Sequence, residues 1–294
     1  MNIPFLRHLL VVCQNLFCSA ALFCSAALAD DTFKSPDILV LGDSQLSFGA
    51  GPAFVDFLTM LEKNCGTTAT KSLSVGVIGV RSTSLGSWVA RTGRAKGPIC
   101  NVDPKWRVNA GSYGSLNNSK NQFVQIGQGS PYQFCKKGKS AFEAMFENGY
   151  YMPRLVILFF LGNAAEKWAG DADAARKDVR ETLQQLPRDL PCIFMTTAPP
   201  YAKRVLDLRL DAQANLQKAF AAEGRHCTFI PGLTDATISA NLGRKESFRR
   251  HKSGKIRDPY HPTEAAAKTF LSLSRAKLCK AIISKLMPSI AEAR

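Results

Sequence analysis

The sequence predicts an α/β protein: a three-layer α/β/α sandwich with a five-stranded parallel sheet as its middle layer. Short apolar runs alternate along the chain with longer amphipathic segments, which is the order of strands and helices in such a fold. The runs are apolar throughout rather than at every second position, as expected of strands that helices cover on both faces. The hydrophobic fraction of 46% is ordinary for a globular protein.

The first 29 residues are predicted to be a signal peptide that is removed on export. Arg7 precedes a largely apolar run, and the segment closes with Ala27-Leu28-Ala29, a small-residue cleavage site, before the polar start at Asp30. The alternative is a retained membrane anchor, which Gln14 within the run disfavours. We therefore expect a periplasmic or secreted single domain over residues 30–294, with no stable membrane anchor after signal removal.

Each apolar run is predicted to form a strand, and each amphipathic segment a helix. The strands are expected over residues 37–41, 72–78, 155–161, 192–197 and 228–230. Helices are expected over residues 54–61, 171–186, 205–223 and about 262–286. Pro262 is expected in the first turn of the last helix, where backbone N–H groups have no intrahelical acceptor and a proline therefore loses no hydrogen bond.

A polar stretch at about residues 92–140 breaks this alternation. It is rich in Gly, Asn, Ser and Lys, and it is too long for a structureless connection within a compact domain. We predict that it is an insertion into the domain.

Six cysteines remain after removal of the signal peptide, and an even number in an exported chain is typical of disulfides. Metal binding is the alternative, but no two of the six have the C-x-x-C spacing. The connectivity that we put forward pairs Cys100 with Cys135 in the insertion, Cys192 with Cys227 at neighbouring strand starts, and Cys65 with Cys279 at helix ends.

The formal net charge of +15 favours anionic partners, among them acidic polysaccharide, phospholipid headgroups and nucleic acid. Export argues against nucleic acid, and the basic stretches at 136–139 and 244–255 lack the interleaved aromatic residues of a single-strand binding face. The alternative is that these lysines and arginines are solvated loop charges without a partner.

Polar residues follow the predicted strands at their carboxyl ends, where open parallel sheets bind ligands. Ser44 follows the first strand, and a serine hydroxyl needs a base held in the right tautomer by an acceptor. Asp258 and His261, three residues apart across a turn, can supply that pair. We therefore predict Ser44, Asp258 and His261 as catalytic residues.

An oxyanion hole is predicted from donors at the same sheet edge. Attack on an ester places negative charge on the carbonyl oxygen, and donors aimed at that oxygen stabilise the transition state. The candidate donors are the backbone N–H of Ser44, the backbone N–H of Gly79 and the side-chain amide of Asn163. The alternative for Gly79 is a turn glycine without a catalytic role.

These motifs resemble those of the SGNH or GDSL hydrolases, whose four short blocks carry a Ser, a Gly, an Asn and a His. Gly42-Asp43-Ser44 is similar to the first block, although Gln45 stands where many members have leucine, and Gly79 is similar to the second. Residues 258–262, Asp-Pro-Tyr-His-Pro, are similar to the fourth. The third block departs from G-x-N-D, because Asn163 follows Gly162 directly and Ala164 replaces the Asp.

The resemblance spans essentially the whole mature chain and implies a flavodoxin-like SGNH hydrolase fold. It also implies acyl transfer through an acyl-Ser44 intermediate, with no metal or organic cofactor. Export and positive charge favour an acetylated carbohydrate as the ester substrate, anionic in character. Water as acceptor would make the protein an esterase and a sugar hydroxyl an O-acetyltransferase; the remaining alternative is a non-catalytic carbohydrate-binding or envelope-assembly protein on the same fold.

Overall fold

A central sheet of seven strands organises the part of the chain that the structure describes. The computed structural model describes residues 35–67, 73–91, 112–115, 124–126, 137–147, 151–224 and 226–286. The strands are β1 (Ile38–Gly42), β2 (Val75–Gly79), β3 (Ser112–Ser115), β4 (Val124–Ile126), β5 (Leu155–Phe159), β6 (Cys192–Met195) and β7 (Cys227–Ile230). Their order across the sheet is β4-β3-β2-β1-β5-β6-β7.

Five of these strands run parallel, in the order β2-β1-β5-β6-β7. Counted among the parallel strands alone, this is the flavodoxin-like order 2-1-3-4-5. Every residue of β1, β2, β5 and β6 is buried, as expected where helices cover both faces of a sheet. The predicted fold class is therefore confirmed. β1 lies between β2 and β5, so that its last residue, Gly42, pairs with Gly79 and Phe159.

Nine helices lie within the described residues. They are α1 (Gly51–Thr59), α2 (Leu61–Cys65), α3 (Leu85–Val89), α4 (Ala141–Phe146), α5 (Ala165–Gly170), α6 (Ala172–Gln185), α7 (Lys203–Glu223), α8 (Asp235–Asn241) and α9 (Glu264–Leu286). The long helices begin and end close to the predicted positions. None of the helices in these ranges has an apolar stretch long enough to cross a bilayer.

Alternating residues of the buried strands send side chains into two helix layers. On one face α1, α2 and α9 form a core with the sheet, in which the Phe159 ring lies 5.0 Å from that of Phe54 and 6.1 Å from that of Phe270. On the other face Phe194 of β6 packs against Phe220 of α7, with 4.6 Å between ring centroids. Burial of these rings and of the aliphatic side chains around them is the main favourable term that holds the three layers together.

Two additional strands come from the region predicted to be an insertion. β3 pairs antiparallel with β2, and β4 pairs antiparallel with β3, so that both extend the sheet beyond its parallel part. The sequence did not predict them, since neither is a continuous apolar run.

A two-stranded hairpin of β8 (Phe248–Arg250) and β9 (Ile256–Pro262) precedes the last helix. The prediction that Pro262 lies in the first turn of that helix is wrong: Pro262 ends β9 opposite Phe248, and α9 begins at Glu264. The reason is the cap: the Thr263 hydroxyl accepts the N–H of Ala266 at 3.3 Å, so the capping residue follows the proline and the helix starts two residues after it.

Two disulfides confirm two of the three predicted pairs. Cys65–Cys279 joins the end of α2 to α9, and Cys192–Cys227 joins the first residues of β6 and β7. The predicted Cys100–Cys135 pair lies outside the described residues. So does the predicted signal peptide at 1–29, which stays a prediction; the described residues belong to one unit, Ser35–Arg294.

Candidate active site

Ser44 begins the helical segment that leaves the carboxyl end of the central strand β1. The Asp43 carboxylate accepts the N–H of Gln45 at 2.8 Å, and the Asp43 carbonyl accepts the N–H of Leu46 at 3.2 Å. A π-helical turn, Leu46–Ala50, then leads into α1. This turn is interrupted at Phe48, whose φ of −115° and ψ of −127° are not helical.

The glycines that end β1 and β2 leave space for this turn. A Cβ on Gly42 would lie 2.7 Å from the Leu46 side chain, and one on Gly79 would lie 2.6 Å from the Leu46 Cβ. The Ser47 hydroxyl also donates to the Gly79 carbonyl at 2.7 Å. Any larger residue at either position would push the segment that carries Ser44 off the sheet.

The β8–β9 hairpin brings Asp258 and His261 to the same edge. Asp258 Oδ1 accepts the backbone N–H groups of Tyr260 and His261 at 3.0 and 3.1 Å, which closes a tight turn around the carboxylate. Gln45 Nε2 donates to the Tyr260 carbonyl at 3.1 Å. This hydrogen bond joins the turn that carries Ser44 to the segment that carries His261.

The three predicted catalytic residues form one hydrogen-bonded chain. Asp258 Oδ2 lies 2.7 Å from His261 Nδ1, and His261 Nε2 lies 2.7 Å from Ser44 Oγ. A carboxylate only accepts, so Nδ1 carries the imidazole proton, and Nε2 is left to accept the serine proton. This is the geometry in which a histidine can act as general base for a serine hydroxyl.

The Asp258 carboxyl is held in its charged form. Burial works against ionisation, but the hydrogen bond from His261 and the N–H of Tyr260 outweigh it, so that the pKa of Asp258 lies below its ordinary value of 3.8. An ionised Asp258 fixes the imidazole tautomer, and a carboxylate in this position can stabilise an imidazolium.

A second, more deeply buried charge pair lies beside Ser44. Asp43 and Arg209 of α7 are 2% and 5% exposed. Burial raises the pKa of Asp43, while the Gln45 N–H and the Arg209 charge act in the opposite direction. Burial likewise lowers the pKa of Arg209, and the charge of Asp43 opposes that shift. The guanidinium also donates to the Ala198 carbonyl at 3.3 Å.

A small cavity of about 230 Å³ opens at Ser44. The described residues around it include apolar side chains of α5 and α7, the buried charge pair and the triad histidine: Asp43, Ser44, Gln45, Gly162, Asn163, Ala165, Val205, Leu208, Arg209, Tyr260 and His261. The Ser44 hydroxyl therefore faces a partly open cavity with a partly apolar wall.

Of the three predicted oxyanion donors, two lie at this cavity. Ser44 is in the first turn of a helical segment, where backbone N–H groups lack intrahelical acceptors. Asn163, in a 3₁₀ turn after β5, is exposed and donates one amide N–H to the Thr83 carbonyl at 2.7 Å. Gly79 is not among the described residues that surround the cavity, and its role as a donor stays a prediction.

The residues that sequence reasoning missed share this neighbourhood. Gln45 and Arg209 were not predicted. Arg209 lies between Leu206 and Gln213 on the buried face of its helix, at helical spacing, and this position in the sequence could have indicated its burial. Phe48 packs on His261 with 4.5 Å between ring centroids, a contact between distant segments that carries no sequence signal.

Within the ranges that the structure covers, no three His, Cys, Asp or Glu side chains are grouped to hold a metal ion. The expectation that the reaction needs no cofactor stays a prediction.

Comparisons with known proteins give distant likenesses. No family model and no curated protein sequence matches the chain. The fold is similar to a DUF4886 family protein from Bacteroides uniformis, at 12% identity, 86% coverage of this chain, 83% of the other and a TM-score of 0.46. It is similar to a family two carbohydrate esterase from Clostridium thermocellum in complex with cellohexaose (13% identity, 86% and 66% coverage, TM-score 0.42). A family 3 carbohydrate esterase from Clostridium thermocellum is also similar (12% identity, 85% and 98% coverage, TM-score 0.41). Because these identities and scores are low, we infer function from the site itself.

Proposed function

We propose that the chain is an exported serine esterase of the SGNH type, which removes a short acyl group from a carbohydrate ester through an acyl-Ser44 intermediate. One observation carries this proposal: Ser44, His261 and Asp258 form an unbroken hydrogen-bonded chain at the mouth of a cavity, with 2.7 Å at each side-chain contact. Packing alone would not require a hydroxyl, an imidazole and a carboxylate in this order.

The reaction proceeds in two steps. His261 takes the Ser44 proton as the hydroxyl oxygen attacks the ester carbonyl carbon, and the negative charge passes to the carbonyl oxygen. When the tetrahedral intermediate collapses, the bond to the leaving alcohol breaks and His261 returns the proton to that alcohol. Water then attacks the acyl-Ser44 ester by the same route, which releases the acid and restores the serine.

The cavity favours a short acyl group such as acetyl. Its volume of about 230 Å³ lies below the 300–1,000 Å³ of typical sites for drug-sized ligands. Ala165, Val205 and Leu208 supply its apolar wall. A methyl group against this wall would be favoured, whereas a long chain would exceed the space.

Export is the second part of the proposal. The predicted cleavage site after Ala29 is supported by the two disulfides, since disulfides persist in oxidising compartments. An exported esterase meets esters of envelope and extracellular carbohydrate, and the net charge of +15 favours anionic ones.

A fluorophosphonate probe and p-nitrophenyl acetate test the nucleophile. We expect the probe to label the mature protein at Ser44. In Ser44→Ala, labelling should be lost and the turnover of p-nitrophenyl acetate should fall by at least about 10⁴-fold. The matched control is Ser272→Ala, on the exposed face of α9, which should keep both. Labelling that persists in Ser44→Ala, or that is absent from the folded wild type, would contradict the proposal.

A further inference from the structure

The segment 244–257, which we call the basic hairpin, concentrates positive charge beside the active site. It holds seven Lys or Arg residues and one acid, Glu246. Arg249, Arg250 and Lys252 are exposed, and none of the ion pairs between described residues involves a side chain of this segment. Like charges held this close repel one another, so the hairpin is a favourable place for an anion.

A groove of about 500 Å³ runs along this hairpin. Arg249, Arg250, His251 and Lys252 lie on its walls together with one acidic residue, Glu246, and Thr263, which comes two residues after His261, also lines it. The volume lies within the range of sites that take small molecules or sugar units.

Phe48 connects the groove to the catalytic residues. The guanidinium of Arg249 lies 5.3 Å from the centre of the Phe48 ring, and that of Arg81 lies 4.2 Å from it. The other neighbour of this ring is His261, at 4.5 Å between centroids. Arg249 therefore belongs both to the groove and to the surroundings of the reacting atoms.

We propose that the basic groove and Arg249 form an anion subsite that binds the carboxylate groups of an acidic polysaccharide while an ester on a neighbouring sugar unit occupies the cavity at Ser44. This assignment rests on the proposed function. Guanidinium groups suit it because their planar donors match a carboxylate in two parallel hydrogen bonds.

The surface fits a polysaccharide better than a membrane or a nucleic acid. Among the described residues the large exposed apolar side chains are Met60, Met152, Leu208, Tyr260 and Leu273, none of them in the basic hairpin. Membrane docking needs such anchors, and single-stranded nucleic acid needs exposed rings on which bases stack. Phe248, the aromatic residue of the hairpin, is 1% exposed. Tyr260 is exposed, but it lines the cavity at Ser44 and not the groove.

The test measures binding separately from turnover. Polygalacturonate is titrated calorimetrically into the disulfide-bonded mature protein carrying Ser44→Ala, with neutral dextran as the uncharged comparison. Into this background we introduce Arg249→Gln, and as matched control Arg275→Gln, which removes the same charge from the exposed face of α9. In the active protein, oligogalacturonate is then tested as an inhibitor of p-nitrophenyl acetate hydrolysis.

We expect polygalacturonate to bind and dextran not to bind, with affinity at least tenfold weaker in Arg249→Gln and unchanged in Arg275→Gln. We also expect oligogalacturonate to inhibit hydrolysis. Equal weakening in both variants, binding without inhibition, or tighter Arg249-dependent binding of anionic phospholipid vesicles or oligothymidylate would overturn the proposal. If Ser44 proves not to be the nucleophile, the binding measurement still stands, so the two failures are distinguishable.

Discussion

Replacing Arg209 with Met should expose the energetic role of the buried charge pair beneath Ser44. Asp43 and Arg209 are 2% and 5% exposed, so removal of the guanidinium leaves a nearly buried carboxylate without its nearby positive charge. Loss of one partner of a buried pair typically costs about 3–5 kcal/mol, because the remaining charge is uncompensated. We therefore expect Arg209→Met to lower the free energy of unfolding by about 3–5 kcal/mol at pH 7.

The double variant Asp43→Asn/Arg209→Met separates charge from packing. It removes the orphaned charge with nearly the same shape, so it should be more stable than Arg209→Met alone by about 1–3 kcal/mol. Arg209→Lys, which keeps a positive charge on a shorter donor, should lie between wild type and Arg209→Met.

The pH dependence has a definite sign. Burial already raises the pKa of Asp43 in the wild type, and removal of Arg209 should raise it further. A carboxyl with a raised folded pKa gains stability as pH falls through that value, since the folded state then binds the proton first. The penalty of Arg209→Met should therefore shrink between pH 7 and pH 5, by at most about 1.4 kcal/mol per pH unit.

Urea unfolding of the disulfide-bonded protein provides the assay, followed by the fluorescence of the buried Trp88 and Trp168. The reasoning is refuted if Arg209→Met costs less than about 1 kcal/mol. It is also refuted if the double variant is no more stable than the single one, or if the penalty is the same at both pH values.

Three further outcomes are expected. Asp258→Asn should keep the fold but lower turnover on the order of 10³–10⁴-fold, because an amide can hold the wrong imidazole tautomer; turnover near the wild-type value would place the orienting acid elsewhere. The pKa of Asp258 lies below its ordinary value of 3.8, so the carboxylate stabilises the fold above that pH. This contribution is lost as the pH falls through the pKa of the folded state. The difference in unfolding free energy between wild type and Asp258→Asn should therefore narrow only in acid. Replacing Cys65 and Cys279 with Ala opens a loop with a sequence separation of 214 and should lower the free energy of unfolding by about 5 kcal/mol through loop entropy. The same change at Cys192 and Cys227, with a separation of 35, should lower it by about 4 kcal/mol. Thermal unfolding checks this order, and a reversed order would show that packing dominates the effect.

The parallel part of the sheet could be predicted because its strands are continuous apolar runs with helices between them. The structure shifts their ends by only a few residues, as at β5, predicted over 155–161 and observed over Leu155–Phe159. The β8–β9 hairpin could not be predicted, since its strands are rich in charged and only partly buried residues and so have no hydrophobic period.

The meeting of Ser44, Asp258 and His261 could be predicted because Ser44 follows the first apolar strand, while Asp258 and His261 stand three residues apart just before the last helix. Arg209 was missed because an arginine on a charged helix is ordinarily a solvent-facing residue, and its burial depends on Asp43, which lies 166 positions earlier in the chain. The contacts of Phe48 with His261 and Arg249 likewise join segments that are distant in sequence. Pairwise contacts of this kind follow from the packed fold and leave no local pattern.

The charges around Ser44 give a physical reason for an Asp43–Arg209 pair beneath a serine nucleophile. In the proposed reaction His261 becomes a cation when it takes the serine proton; Asp258 stabilises this cation through a direct hydrogen bond, and the charged form of Asp43 stabilises it through space. Burial favours the neutral form of Asp43 by raising its pKa, and the charge of the nearby Arg209 opposes that shift. Arg209 also lines the cavity that would hold the acyl group, where a positive charge favours the negative charge that develops on the carbonyl oxygen. In the proposed reaction Arg209 thus acts in two ways, by favouring the charged form of Asp43 on the histidine side and directly on the side of the acyl group.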